Sequence, residues 1–133
     1  MKRSLTLSLI LFMFITVMSC KKKSAETNLN GSWELRYLEG IQVPNVDPNF
    51  KAGNGNILKF SDHNFERYEN GKLVQTGTFT FQPEKTTVNN TAVNYSIVFA
   101  NDEKQYLYLS GNKLILFQGV IAADGTASTY VKQ

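Results

Sequence analysis

The chain has 133 residues, with 14 Lys and Arg against 11 Asp and Glu, and a single Cys and a single His. One cysteine excludes an internal disulfide, and one His with one Cys excludes a His/Cys zinc site or a cysteine–histidine catalytic pair. The formal net charge of +3 belongs to the N-terminal end, because without Lys2, Arg3 and Lys21-Lys22-Lys23 the acidic residues outnumber the basic ones. What remains offers no clustered positive surface for a nucleic acid.

The first segment pairs a basic start, Lys2-Arg3, with an almost unbroken apolar run from Leu5 to Met18. The run falls short of the ~20 residues that cross a bilayer as a helix, and the small residue Ser19 follows it at the expected cut site, as in a secretory signal peptide. Val17-Met18-Ser19-Cys20 resembles the bacterial lipobox. That resemblance implies cleavage after residue 19 and lipidation of Cys20, which anchors the protein in the membrane. Several acyl chains give stable anchoring where one does not. Residues 20–30 then form a flexible tether. Lysines rather than acidic residues after Cys20 resemble lipoproteins sorted to the outer membrane, with its periplasmic face expected over surface display.

Residues 31–133 make one domain, since about a hundred residues support one core and not two. Its Thr, Tyr, Phe and Val content, punctuated by Asn, Gly and Asp, is strand chemistry. Eight strands are expected, near Ser32–Glu39, Asn56–Ser61, Asn64–Glu69, Leu73–Gln82, Val93–Ala100, Gln105–Ser110, Lys113–Gly119 and Thr126–Lys132. Asn70-Gly71 and Gly111-Asn112 suit two-residue turns that need positive φ. Short turns between successive strands give an all-β, up-and-down antiparallel meander, and eight strands can close into a barrel.

Alternation assigns faces. Trp33, Leu35 and Tyr37 share the inward face of the first strand, with Glu34 and Arg36 pointing away; Leu73, Gly77, Phe79 and Phe81 share that of the fourth. The sixth and seventh strands are apolar on both faces, so a loop or a partner is expected over Tyr106, Tyr108, Ile115 and Phe117.

Gly31-Ser32-Trp33, opening the first of these strands, resembles the Gly-x-Trp element of the lipocalin-like domain of small bacterial lipoproteins. The resemblance implies a barrel whose closed base is plugged by Trp33. Where lipocalins often stack a last-strand arginine on that tryptophan, this chain has Lys132. It also implies that the first long connection, Gly40–Gly55, lies over the open mouth as a lid. Pro44, Pro48 and three glycines shape that loop, and Ile41, Val43, Val46 and Phe50 give it apolar contacts. Packing against one end of the core is the plainer role for it.

Little points to catalysis or to a cofactor. His63 sits in a polar turn with Asp62, no serine is spaced to serve as a nucleophile, and Asp47, Asp62 and Asp124 lie in separate loops without a calcium-loop spacing. Gly53-Asn54-Gly55 leads into a strand, so no helix N-terminus awaits a phosphate there. The protein is expected not to be an enzyme.

The meander instead gathers polar residues at the mouth. Arg67, Gln75, Gln105 and Gln118 come from four strands and are all expected inward near that end, with Phe50 and Tyr37 as apolar and aromatic walls. A dry base below a polar mouth suits a small apolar or amphipathic ligand, its anionic head on Arg67 and its tail beneath. The alternative is a filled barrel acting as an interaction or inhibitor protein through its outer face around Tyr106 and Phe117.

Overall fold

The architecture comes from a computed structural model of the chain, which describes residues 28–100 and 104–133. The leader, Cys20 and most of the tether lie outside the described residues. Eight strands follow in order: β1 Gly31–Glu39, β2 Ile57–Ser61, β3 Asn64–Glu69, β4 Lys72–Val88, β5 Thr91–Phe99, β6 Gln105–Ser110, β7 Lys113–Gln118 and β8 Thr126–Lys132. Each pairs antiparallel with the next, and β8 returns to β1, closing the barrel. The expected up-and-down eight-stranded barrel is what forms. Closure removes the exposed edges that an open sheet would present.

The turns follow local chemistry. Asn70 and Gly71 both have positive φ (50° and 78°), as a tight hairpin turn requires. Asn89 and Asn90 do the same at 48° and 61°, and asparagine tolerates this conformation better than most side-chain-bearing residues.

The base half of the barrel is filled. Trp33, Leu58, Phe60, Phe65, Phe79, Phe81, Ile97, Phe99, Leu107 and Leu114 form one buried cluster with Leu29. Phe65 and Phe99 meet edge-on with ring centroids 4.8 Å apart, and Phe60 meets Phe79 the same way at 5.1 Å. Gly77 makes room for this, because a Cβ there would lie 2.9 Å from the Phe65 ring. At the bottom, Trp33 donates its indole N–H to the Leu29 carbonyl at 2.7 Å. Trp33 thus plugs the base end with its one polar atom satisfied.

The sixth and seventh strands are covered by the chain itself. β4 runs past Gln82, where sequence placed its end, and β5 begins two residues before Val93. The ladder between them shifts register between Pro83 and Thr86. Proline cannot donate to a ladder, so it belongs at such an irregularity and does not end the hairpin. β5 pairs with β6 only from Tyr95 to Ile97. Beyond that the hairpin becomes an arm that folds over the outer face of the barrel. Its Val93 is buried with Phe117 and Ala127, and Val88, Tyr106, Tyr108, Ile115 and Ile121 pack around them. The arm is fastened by the Asn94 side chain, which bonds both the N–H and the carbonyl of Leu109 (2.9 and 2.8 Å). At its tip the Ile121 N–H donates to Asn89 Oδ1 at 3.2 Å.

Two assignments by alternation change, and a third residue keeps its side but is buried there. A register shift between Leu35 and Tyr37 turns β1 over: Leu35 stands opposite Tyr130, but Tyr37 stands opposite Thr129, on the outward side of β8. A shift between Arg67 and Tyr68 on β3 pairs Leu73 with Tyr68 and leaves it 53% exposed, out of the inward row. Glu34 is on the outward side of β1 yet only 2% exposed, its carboxylate 2.9 Å from the Arg36 guanidinium.

The Gly40–Gly55 loop is held along β1. Leu38 N–H donates to the Pro48 carbonyl, Phe50 N–H to that of Arg36, and Leu35 N–H to that of Asn56, each at 2.9 Å. These bonds satisfy the β1 edge where β2 has not yet begun. The second half of the loop therefore extends the barrel wall, and Val43 and Val46 are left exposed in its first half.

Candidate functional site

β1, β3, β5 and β7 run from the base toward the end where Gly40–Gly55, Asn70-Gly71 and the Val120–Gly125 connection lie. Polar side chains collect there on the inward face, above the aromatic fill. They line a cavity of about 450 Å³ whose wall includes Arg67 and Glu69 of β3, Gln105 of β6, Gln118 of β7, and Thr126, Ser128 and Tyr130 of β8. Lys104 and Leu116 complete it with Gly119. A volume of this size lies within the ~300–1,000 Å³ range of small-molecule sites.

A second lobe of about 210 Å³ adjoins the first and shares Arg67, Glu69 and Tyr130 with it. Its other walls are Leu35, Phe50, Asn56, Ile57, Tyr68 and Asn70. The larger lobe is faced mainly by amides, hydroxyls and charges, while the smaller one gains Leu35, Phe50 and Ile57. Arg67 and Tyr130 stand between the two.

The strands explain why these side chains meet. Leu58 pairs with Arg67, and Arg67 with Gln75, so alternation sends all three to the inside. On β8, Thr126, Ser128 and Tyr130 occupy alternate positions opposite Gln118, Leu116 and Leu114 of β7. Burial pushes the Tyr130 hydroxyl above its ordinary range, with the nearby charge of Arg67 and a hydrogen bond with Ser128 drawing it back. The phenol therefore stays neutral at physiological pH and can both donate and accept. Arg67 also stands over the Phe99 ring, 6.0 Å from its centroid, where the top of the aromatic fill meets the cavity floor.

Lys104 joins the cavity to the arm. Its ammonium bonds both oxygens of Glu84 at 2.9 and 3.2 Å and lies 4.9 Å from the centroid of the Tyr106 ring. The pairing draws the Glu84 carboxyl below its ordinary range and raises the Lys104 ammonium above its own. On the opposite rim, the Gln42 amide bonds the Asp124 carboxylate and ties the Gly40–Gly55 loop to the β7–β8 connection.

Of the residues sequence assigned to the site, Arg67, Gln105 and Gln118 line the larger lobe, and Phe50 and Arg67 line the smaller one. Gln75 is half-buried opposite Arg67 but lines neither lobe. Tyr37 is not with them: the β1 bulge turns it outward, and it is 38% exposed. The expected place for an apolar tail, straight down the axis below Arg67, is taken by Phe65, Phe79 and Phe99. The apolar room lies sideways, toward β1, β2 and Phe50. Sequence reading missed Glu69, Lys104 and the β8 row of Thr126, Ser128 and Tyr130. The row was visible as alternation in Thr126–Lys132, but small polar residues at alternate positions mark a wet interior only when the opposite wall is known.

Among the described residues, no group of three or more His, Cys, Asp or Glu side chains is placed to hold a metal ion. A scan against family models and searches of curated proteins and of solved structures found no match for the chain.

Proposed function

We propose that the protein is a lipid-anchored binder of small amphipathic molecules in a bacterial envelope, with the lipocalin-like build that Gly31-Ser32-Trp33 suggests. The observation that carries the binding role is the two-lobed cavity at the barrel mouth, polar in its larger lobe and walled by Leu35, Phe50 and Ile57 in its smaller one. A ligand with a polar body and a short apolar group matches both lobes, and Arg67 at their junction suits an anionic group. The role is binding rather than catalysis. Retention in the envelope rests on the lipobox-like tetrad, the solitary Cys20 and the lysines that follow it.

The outer-face interaction role is less favoured. Phe117 is buried beneath the chain's own arm, and Tyr106, Tyr108 and Ile115 pack around it.

Native mass spectrometry of the protein extracted from its own envelope tests the binding role. A co-purifying small molecule that is lost on Arg67→Ala is the expected result. An empty wild-type protein, with no small amphipath perturbing the mouth residues by NMR, rejects it. The anchor is tested separately: Cys20→Ala should move the protein to the soluble fraction, and a mature protein without acyl mass on Cys20 refutes lipidation.

A further inference from the structure

The charges of the cavity restrict what it holds. Arg67, Glu69 and Lys104 are its charged lining residues among those described. Lys104 is committed to Glu84. Arg67 and Glu69 have no ion-pair partner among the described residues, neither with each other nor with Lys72, which stands opposite Glu69 in the ladder. Both line both lobes. They are two residues apart on β3, which sends them to the same face with Cα atoms roughly 7 Å apart.

A simple carboxylate on Arg67 would sit close to the Glu69 charge and be opposed by it, whereas a simple cation on Glu69 would meet Arg67. A ligand bearing both charges satisfies both groups. The lobe beside them, about 210 Å³ and walled by Leu35, Phe50 and Ile57, holds roughly seven water volumes at ~30 Å³ each. A short aliphatic group fits in that space.

We propose that the mouth binds a zwitterion carrying a short aliphatic side chain, an ammonium and a carboxylate on one small skeleton, as in an apolar amino acid or short peptide. Arg67 holds the carboxylate through paired N–H donors, Glu69 accepts from the ammonium, and the aliphatic group enters the lobe beside Phe50. The hydroxyls of Thr126 and Ser128, with Gln105 and Gln118, face the rest of a peptide in the larger lobe. The inference rests on the binding role proposed above and narrows it to one ligand class.

Calorimetry on the full-length protein in lipid nanodiscs tests it with five probes: leucine, leucyl-leucine, its N-acetylated form, its C-amidated form, and octanoate. Leucine or leucyl-leucine should bind, and the comparison between them tells a free amino acid from a peptide. If leucyl-leucine binds, each blocked form should bind about 10- to 100-fold more weakly, as expected when a charge-assisted hydrogen bond is lost. Glu69→Gln should then abolish the penalty of N-acetylation, and Arg67→Gln that of amidation, each leaving the other penalty in place. Octanoate binding as tightly as either zwitterion, or an N-acetyl form that loses nothing, overturns the zwitterion while leaving a binder of amphipathic molecules standing. No heat from any probe, with no small molecule co-purifying from the envelope, overturns both.

Discussion

The Lys132 ammonium lies 5.2 Å from the centroid of the Trp33 ring and donates to the Asn28 carbonyl at 3.0 Å. The last strand thus clamps the plug of the first at the base, where the barrel closes. Trp33 is fully buried, and Trp33→Ala should cost about 3–5 kcal/mol. Lys132→Met keeps most of the aliphatic stem but loses the charge, so about 0.5–1 kcal/mol is expected at this exposed end. Denaturant unfolding of both variants checks the ranking. Equal losses would mean that the Lys132 contacts to the Trp33 ring and the Asn28 carbonyl matter as much as the buried indole itself.

The same corner fixes Gly31. Its φ is +124°, and a Cβ there would stand 2.8 Å from the Lys132 Cε. Gly31→Ala should destabilise by about 1–3 kcal/mol through backbone strain. In the Lys132→Ala background the steric part disappears and the strain remains. A double-mutant cycle by thermal unfolding separates the two.

Gly77 tests the packing of the aromatic fill. Its backbone is unstrained, so Gly77→Ala acts through the 2.9 Å approach to the Phe65 ring. Overpacking of this kind costs about 1–3 kcal/mol, and Phe65→Leu in the same chain should return part of it. The measurement is the urea midpoint of the single and double variants.

Asn94 replaces a missing stretch of ladder, bonding both backbone groups of Leu109. Asn94→Ala should cost about 1–3 kcal/mol, because two backbone groups lose their partners where β5 leaves β6. Hydrogen exchange should quicken at Leu109 and along the arm first, and slow exchange should persist at Phe60 and Phe99.

The Glu84–Lys104 pair gives the arm a pH window. Lys104 draws the Glu84 carboxyl below its ordinary value of 4.5, so the stability it adds is present above that value and is lost as pH falls through the lower folded one. The Lys104 ammonium is raised above 10.5 by Glu84, so its share is complete below 10.5 and is lost as pH rises through the higher folded value. The clamp therefore holds throughout the neutral range. NMR titration of Glu84 should show a midpoint below 4.5 that returns toward 4.5 in Lys104→Met.

What sequence determined by itself was whatever depends on near neighbours. Alternating side chains and positive-φ turns such as Asn70-Gly71 specify antiparallel strands joined tightly, and eight of these in a row have a barrel as their compact closure. Arg67, Gln105 and Gln118 were placed inward because an unbroken strand keeps its parity. Tertiary structure decided where parity breaks. The bulge that turns Tyr37 outward exists only in the pairing of β1 with β8, and the shift near Tyr68 that exposes Leu73 exists only in the pairing of β3 with β4. It also decided coverage. Pro83 to Ala92 lay between two expected strands as a proline followed by a largely polar stretch, yet the arm that they form with Val93 buries that valine on Phe117, because those outer apolar residues need a cover. The neighbourhood of Arg67, Glu69 and Tyr130 is of the same kind, since β3 and β8 are distant in sequence and meet across the mouth only when the barrel closes.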